Sequence, residues 1–133
     1  MKIEVPKIIK KIRLDEYAPE FGEATLEVWV NAPNALLEEI NATSKRMLEI
    51  IRRTDLNADE EKAAVSELTD LVNEQLRLYS VLLSQGSEES RMSQEELKVM
   101  VEQVRETDPN FWPWLKEAIA AQINLHRYGR KKV

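Results

Sequence analysis

His126 is the one histidine in the chain, and there is no cysteine. A Ser–His–Asp or Cys–His centre needs a nucleophile, a base and a group that orients the base. His126 has no credible nucleophile and orienter to work with, and the lack of cysteine removes thiolate nucleophiles, disulfides and Cys-based metal sites. A carboxylate-bridged metal site in a helical bundle calls for Glu-x-x-His, but Ile123 stands three positions before His126. The acidic pairs Glu60-Glu61, Glu88-Glu89 and Glu95-Glu96 fall at or beside expected helix starts, where a carboxylate complements the helix dipole. Gly22, Gly86 and Gly129 are isolated, so neither phosphate-cradling glycine motif can be built. The expectation is a protein that is not an enzyme and carries no cofactor or metal.

Charge narrows the partners. The net charge is −5 over 133 residues, unevenly spread. Residues 1–13 carry Lys2, Lys7, Lys10, Lys11 and Arg13 against Glu4, a balance of +4, and residues 127–133 carry Arg127, Arg130, Lys131 and Lys132, again +4. The body between them is therefore −13, and would repel a phosphate backbone, so nucleic acid is not an expected partner. The apolar residues of the N-terminal stretch come in ones and twos, unlike a signal peptide. No apolar run approaches the ~20 residues that span a bilayer. The expectation is a cytoplasmic protein with no membrane partner.

What remains as an interaction device is aromatic. Phe111-Trp112-Pro113-Trp114 occupies four successive helical positions, which point in nearly every direction around the axis. They cannot all face one core, and an exposed large aromatic is a typical interface anchor. Trp29 raises the same question, because strand alternation sets it opposite Leu26, Val28 and Val30. Trp29, Phe111, Trp112 and Trp114 are the candidate partner-binding residues, with Trp29 read either as part of a second packing layer or as a binding surface.

The elements that position these side chains follow from periodicity. Lys11–Leu14 and Thr25–Val30 alternate polar and apolar, the signature of half-buried strands, with Pro19 and Gly22 in the long loop between them. Asn31-Ala32-Pro33-Asn34 closes the hairpin with helix-start signals. Leu36, Leu37, Ile40, Met47, Ile50 and Ile51 then recur at three- and four-residue steps up to Arg52-Arg53. Asn57-Ala58-Asp59-Glu60 resembles a capping box and opens a long helix to about Gln85, striped by Ala64, Leu68, Leu71, Val72, Leu76, Tyr79, Leu82 and Leu83. Ser93-Gln94-Glu95-Glu96 caps a third helix carrying Leu97, Met100, Val101 and Val104, and Asp108-Pro109 starts a fourth that ends near Gly129 as a C-cap. The expected fold is mostly α: an N-terminal β-hairpin (1–33) followed by about four amphipathic helices (34–128) in a compact bundle, with a basic tail (129–133). Length predicts one domain, 1–133.

The strand end Leu26-Glu27-Val28-Trp29-Val30-Asn31-Ala32-Pro33 and the helix start Asp108-Pro109-Asn110-Phe111-Trp112-Pro113-Trp114 carry a resemblance that spans most of the chain. In this order of features the chain resembles the tail assembly chaperones of long-tailed bacteriophages. The resemblance implies a viral or prophage protein of the bacterial host cytoplasm. It implies a chaperone that binds the long, helical tape measure protein and keeps it soluble while tail tube subunits, themselves candidate partners, polymerise around it. It also implies a longer form made by ribosomal frameshifting, for which the adjacent codons of Lys131-Lys132 offer an A-rich run. Self-association is left open. The alternative is a structural or adaptor subunit that binds proteins without catalysis, such as a phage connector component or a helical regulatory adaptor.

Overall fold

The computed structural model describes residues 3–129. Among the described residues the chain is mostly helical: two antiparallel strands are followed by four helices, as the periodicity predicts.

β1 (Ile9–Arg13) pairs with β2 (Thr25–Trp29), with Ile9 opposite Trp29 and Ile12 opposite Leu26. Alternation sets the buried face. Ile12, Leu26 and Val28 point inward, and Val30 just past the strand is fully buried, while Lys11 and Arg13 are exposed. β1 starts two residues earlier than its own alternation indicates. Ile8 N–H is held by the Asn31 side chain at 2.7 Å, and Asn31 Nδ2 donates to Pro6 O at 2.9 Å. Asn31 therefore does not cap the first helix as expected, because its amide is occupied in pinning the segment before β1. The long loop is two short 3-10 turns, Leu14–Glu16 and Pro19–Phe21, closed by Gly22 in the left-handed region at φ 62°.

The chain divides into two compact units: Met1–Ala32 with Ser80–Val133, and Pro33–Tyr79. The hairpin thus shares a unit with the last two helices rather than standing apart from the helical body.

In the Pro33–Tyr79 unit, α1 (Asn34–Ile51) is followed by α2 (Ala58–Leu83), whose last turn belongs to the other unit. The Asn57 capping box is made in both directions: Asn57 Oδ1 accepts from Glu60 N–H at 2.8 Å, and Asn57 N–H donates to Glu60 Oε1 at 3.4 Å. Asp55 takes the left-handed conformation (φ 57°) in the connection, where Asp is tolerated. Arg46 grips Glu67 with two nitrogens, at 2.6 and 2.9 Å, while Gln75 Nε2 donates to Ser44 Oγ at 2.8 Å and Thr43 Oγ1 at 3.3 Å. Earlier residues of α1 meet later residues of α2, so the helices run antiparallel.

The other unit packs α3 (Gln94–Thr107) and α4 (Phe111–Tyr128) against each other, and α4 also lies against both strands. Ser93 caps α3 by accepting from Glu96 N–H at 3.1 Å. α4 buries Phe111, Leu115, Ile119 and Ile123, a strict four-residue row. Its helix begins two residues later than the sequence reading, with Asn110 rather than Asp108 at the cap position. Asp108 and Pro109 form a turn ahead of it, with Asp108 Oδ1 accepting from Asn110 N–H at 3.2 Å. Gly129 is the C-cap of α4, as expected; at φ −61° and ψ −30° it stays in the right-handed helical region and its N–H donates to Leu125 O. The basic residues Arg130, Lys131 and Lys132 lie outside the described residues.

Candidate partner-binding surface

The start of α4 sorts its aromatics by direction. Phe111 is 1% exposed and opens the buried row. It stacks on Phe21 at 5.3 Å and meets Tyr17 edge-on at 5.3 Å, with Trp114 6.0 Å away. Tyr17 also lies 5.1 Å from Trp114. The hairpin loop thus covers one side of the Phe-Trp-Pro-Trp run, and such ring pairs add to burial through their complementary faces and edges. Phe111 is a core side chain with no surface to offer a partner. Trp114 is half-buried within the same cluster.

Trp112 points elsewhere. It is half-buried, outside the Tyr17–Phe21 cluster, and carries the Lys116 ammonium 5.7 Å from its ring centre. Burial lowers the Lys116 pKa, as expected when an ammonium stem lies along apolar surface. Of the four aromatics singled out, Trp29, Trp112 and Trp114 are all half-buried, and Trp112 is the one that carries the half-buried Lys116 over its ring.

Trp29 lies on the strand face shared with Thr25 and Glu27. The Lys7 ammonium sits 4.9 Å from its ring centre and also donates to Gln85 Oε1. Two residues along β2, the Glu27 carboxylate accepts from Ser87 N–H at 2.5 Å. Residues 85–87 thus line this second face of the hairpin. Trp29 Nε1 is buried without a hydrogen-bond partner, so the polar edge of the indole is turned inward. The Trp29 ring is half-buried on this face, beneath the Lys7 ammonium.

Tyr17 is tied at both ends. Its ring packs on Phe111, and its hydroxyl donates to Asp108 Oδ2 at 2.5 Å. That hydrogen bond, with burial and the carboxylate charge, pushes the Tyr17 pKa up to about 12. Periodicity alone offered no signal for Tyr17, Phe21 or Glu27.

His126 lies half-buried in the last turn of α4 beside Arg127, where positive charge suits the helix dipole. Among the described residues no cluster of three or more His, Asp or Glu could hold a metal ion. No described helix is long and apolar enough to cross a membrane.

Apolar side chains left at the surface complete the picture. In the Pro33–Tyr79 unit Leu48, Ile51 and Val65 are 50%, 63% and 57% exposed, while Met47, Leu68 and Leu71 are half-buried. Ile51 belongs to the apolar stripe of α1, but it falls on the helix's last residue, at the end of the pair where the 52–57 connection leads into α2. In the other unit Val99, Leu125 and Tyr128 are exposed.

Comparison with protein-family models, curated proteins and solved structures gives no match to this chain.

Proposed function

We propose that the chain is a tail assembly chaperone of the long-tailed phage type, a non-catalytic module that holds helical segments of a tape measure protein until tail tube subunits enclose them. The observation that carries this reading is the apolar surface on the α1–α2 pair, Leu48, Ile51 and Val65 with half-buried neighbours. Two helices share only one seam, and a third amphipathic helix laid along them buries what the pair leaves open. Covering side chains that are already about half-buried yields on the order of 1 kcal/mol each. A few such contacts give reversible capture rather than permanent assembly, which suits a chaperone that must release its client. The acidic body keeps such a surface from aggregating.

Co-expression with a long helical reading frame encoded beside this one tests the proposal. The expected result is soluble recovery of that partner in complex with this chain, reduced by Leu48→Asp or Ile51→Asp. A partner as insoluble with the chain as without it overturns the reading. So does finding the chain in purified mature particles, where a chaperone should be absent and a structural subunit present.

A further inference from the structure

The register of the hairpin settles which backbone groups of β1 are in use. Leu14 N–H donates to Ala24 O at 3.1 Å and Val30 N–H to Ile8 O at 2.9 Å, just outside the paired residues at either end. Hydrogen-bonded and non-hydrogen-bonded pairs alternate in an antiparallel ladder. Ile8, Lys10, Ile12 and Leu14 therefore turn their backbone groups toward β2, and Ile9, Lys11 and Arg13 turn theirs to the outer edge of β1. Among the described residues the sheet has two strands, and no hydrogen bond reaches the outward backbone groups of Ile9, Lys11 or Arg13.

The two strands differ in cover and in charge. Every residue of β2 is buried or half-buried, whereas Lys10, Lys11 and Arg13 of β1 are exposed. Ile3 and Val5, in the lead-in to β1, are 82% and 72% exposed. Residues 3–13 carry Lys7, Lys10, Lys11 and Arg13 against Glu4. Arg13 is paired with Asp15 at 2.7 Å, and Glu23 lines the groove beside Lys11 and Arg13. Lys10 and Lys11, on opposite faces of the strand, form no ion pair among the described residues. Two copies joined edge to edge through β1 would bring these lysines against one another, and like charges so placed destabilise a sheet. A strand bearing carboxylates meets the opposite situation.

We infer that the outer edge of β1 takes an extended acidic segment of a partner protein as a third strand. The outward N–H and C=O groups of Ile9, Lys11 and Arg13 supply the ladder. Lys10 and Lys11 meet Asp or Glu on the two faces of the added strand, and an apolar end of the same segment covers Ile3 and Val5. In strand addition of this kind the backbone bonds give affinity and the side chains give selectivity. The lysines are solvated, so the binding is salt-sensitive. The site is separate from the α1–α2 surface proposed for the helical client.

Titration of the full chain with a labelled synthetic peptide alternating Glu with Val, followed by fluorescence anisotropy, tests this. The expected result is binding that protects the Ile9, Lys11 and Arg13 amides from exchange. N-methylation of one alternate set of peptide nitrogens is expected to weaken it at least about tenfold, and of the other set to leave it unchanged. Lys11→Pro removes an outward N–H that the β1–β2 ladder does not use, and Lys10→Glu with Lys11→Glu reverses the charge. Each is expected to weaken binding at least about tenfold, while amide exchange at Leu26 and Val28 checks that the hairpin persists. Leu48→Asp, on the surface proposed for the helical client, is expected to change nothing, so the two proposals fail separately. A peptide that does not bind at about 1 mM overturns the inference. So does binding indifferent to N-methylation of either set, which would reduce the contact to charge alone, or equal binding of the peptide with Lys in place of Glu. Protection of Ile9 and Lys11 that grows with chain concentration and needs no peptide overturns it in favour of a second copy.

Discussion

The Tyr17 hydroxyl reaches the Asp108 carboxylate across 91 positions of sequence, tying the 3-10 turns of the hairpin loop to the turn that launches α4. The same carboxylate accepts from Asn110 N–H through its other oxygen, so one aspartate orients the helix start and anchors the loop that covers it. Tyr17→Phe keeps the ring on Phe111 and removes only the hydroxyl. The expected result is a lower melting temperature with the fold retained. The Tyr17 pKa rises from 10.0 to about 12, so its neutral form is favoured by folding. The stabilisation is fully present below pH 10 and is lost as pH rises through about 12. Thermal melts across that window are expected to converge for the wild type and Tyr17→Phe at the alkaline end. A constant difference between them would assign the hydroxyl no titrating role.

Gly86 is required by a close approach rather than by its dihedrals. A Cβ at this position would run into the Glu27 side chain, both its carboxylate and its Cβ. Gly86→Ala is expected to destabilise by about 1–3 kcal/mol, the usual range for forcing atoms into a packed space. Glu27→Ala removes the carboxylate but leaves its Cβ, and it gives up the hydrogen bond to Ser87. The double variant is therefore expected to be less destabilised than the two single effects added together, without full rescue. Urea midpoints for the four proteins of this cycle measure the coupling.

Features set by local chemistry were legible in the sequence. Both caps, Asn57 and Ser93, and the alternation of both strands depend on residues a few positions apart, and the structure carries them. Features set by distant segments were not. Nothing near Tyr17 announces Asp108, and nothing near Gly86 announces Glu27. The buried Gln75 and its Thr43 and Ser44 partners break the apolar pattern of both helices, so a search for stripes passes over them. Asn31 carried a helix-start signal, yet its amide was more useful to a neighbouring backbone. The Phe-Trp-Pro-Trp run was legible as a conflict, too many rings for one face, but which ring stays outside depends on a loop ninety residues upstream.

In the Pro33–Tyr79 unit the Arg46–Glu67 fork gives an acid-side prediction. The Arg46 hydrogen bonds hold the Glu67 carboxyl below its usual 4.5. Its stabilising effect is present above that value and is lost as pH falls through the folded-state value. Glu67→Gln is expected to flatten the acid limb of the stability curve and to cost little once pH has fallen below the folded-state value. Both partners are 38% exposed, so high salt should shrink the wild-type advantage at neutral pH. The charge-swapped pair Arg46→Glu with Glu67→Arg is expected to recover part of what each single reversal loses. Melts against pH and salt read all three effects.

The two neighbours at the start of α4 should separate stability from recognition. Phe111→Ala empties a site that is 1% exposed and lined by Tyr17, Phe21 and Trp114, and is expected to cost about 3–5 kcal/mol. Trp112→Ala removes a half-buried ring whose flank carries Lys116, so its effect on urea stability is expected to be clearly smaller. If Trp112 anchors the helical client proposed above, the same change weakens capture by about 2 kcal/mol, roughly thirtyfold, as truncating a central aromatic does at other interfaces. Titration of the purified chain with a soluble segment of the client, run beside the urea melts, places each variant on both axes. A Trp112→Ala protein that is stable and binds as tightly as the wild type would restrict client binding to the α1–α2 surface and leave the ring as cover for the Lys116 stem.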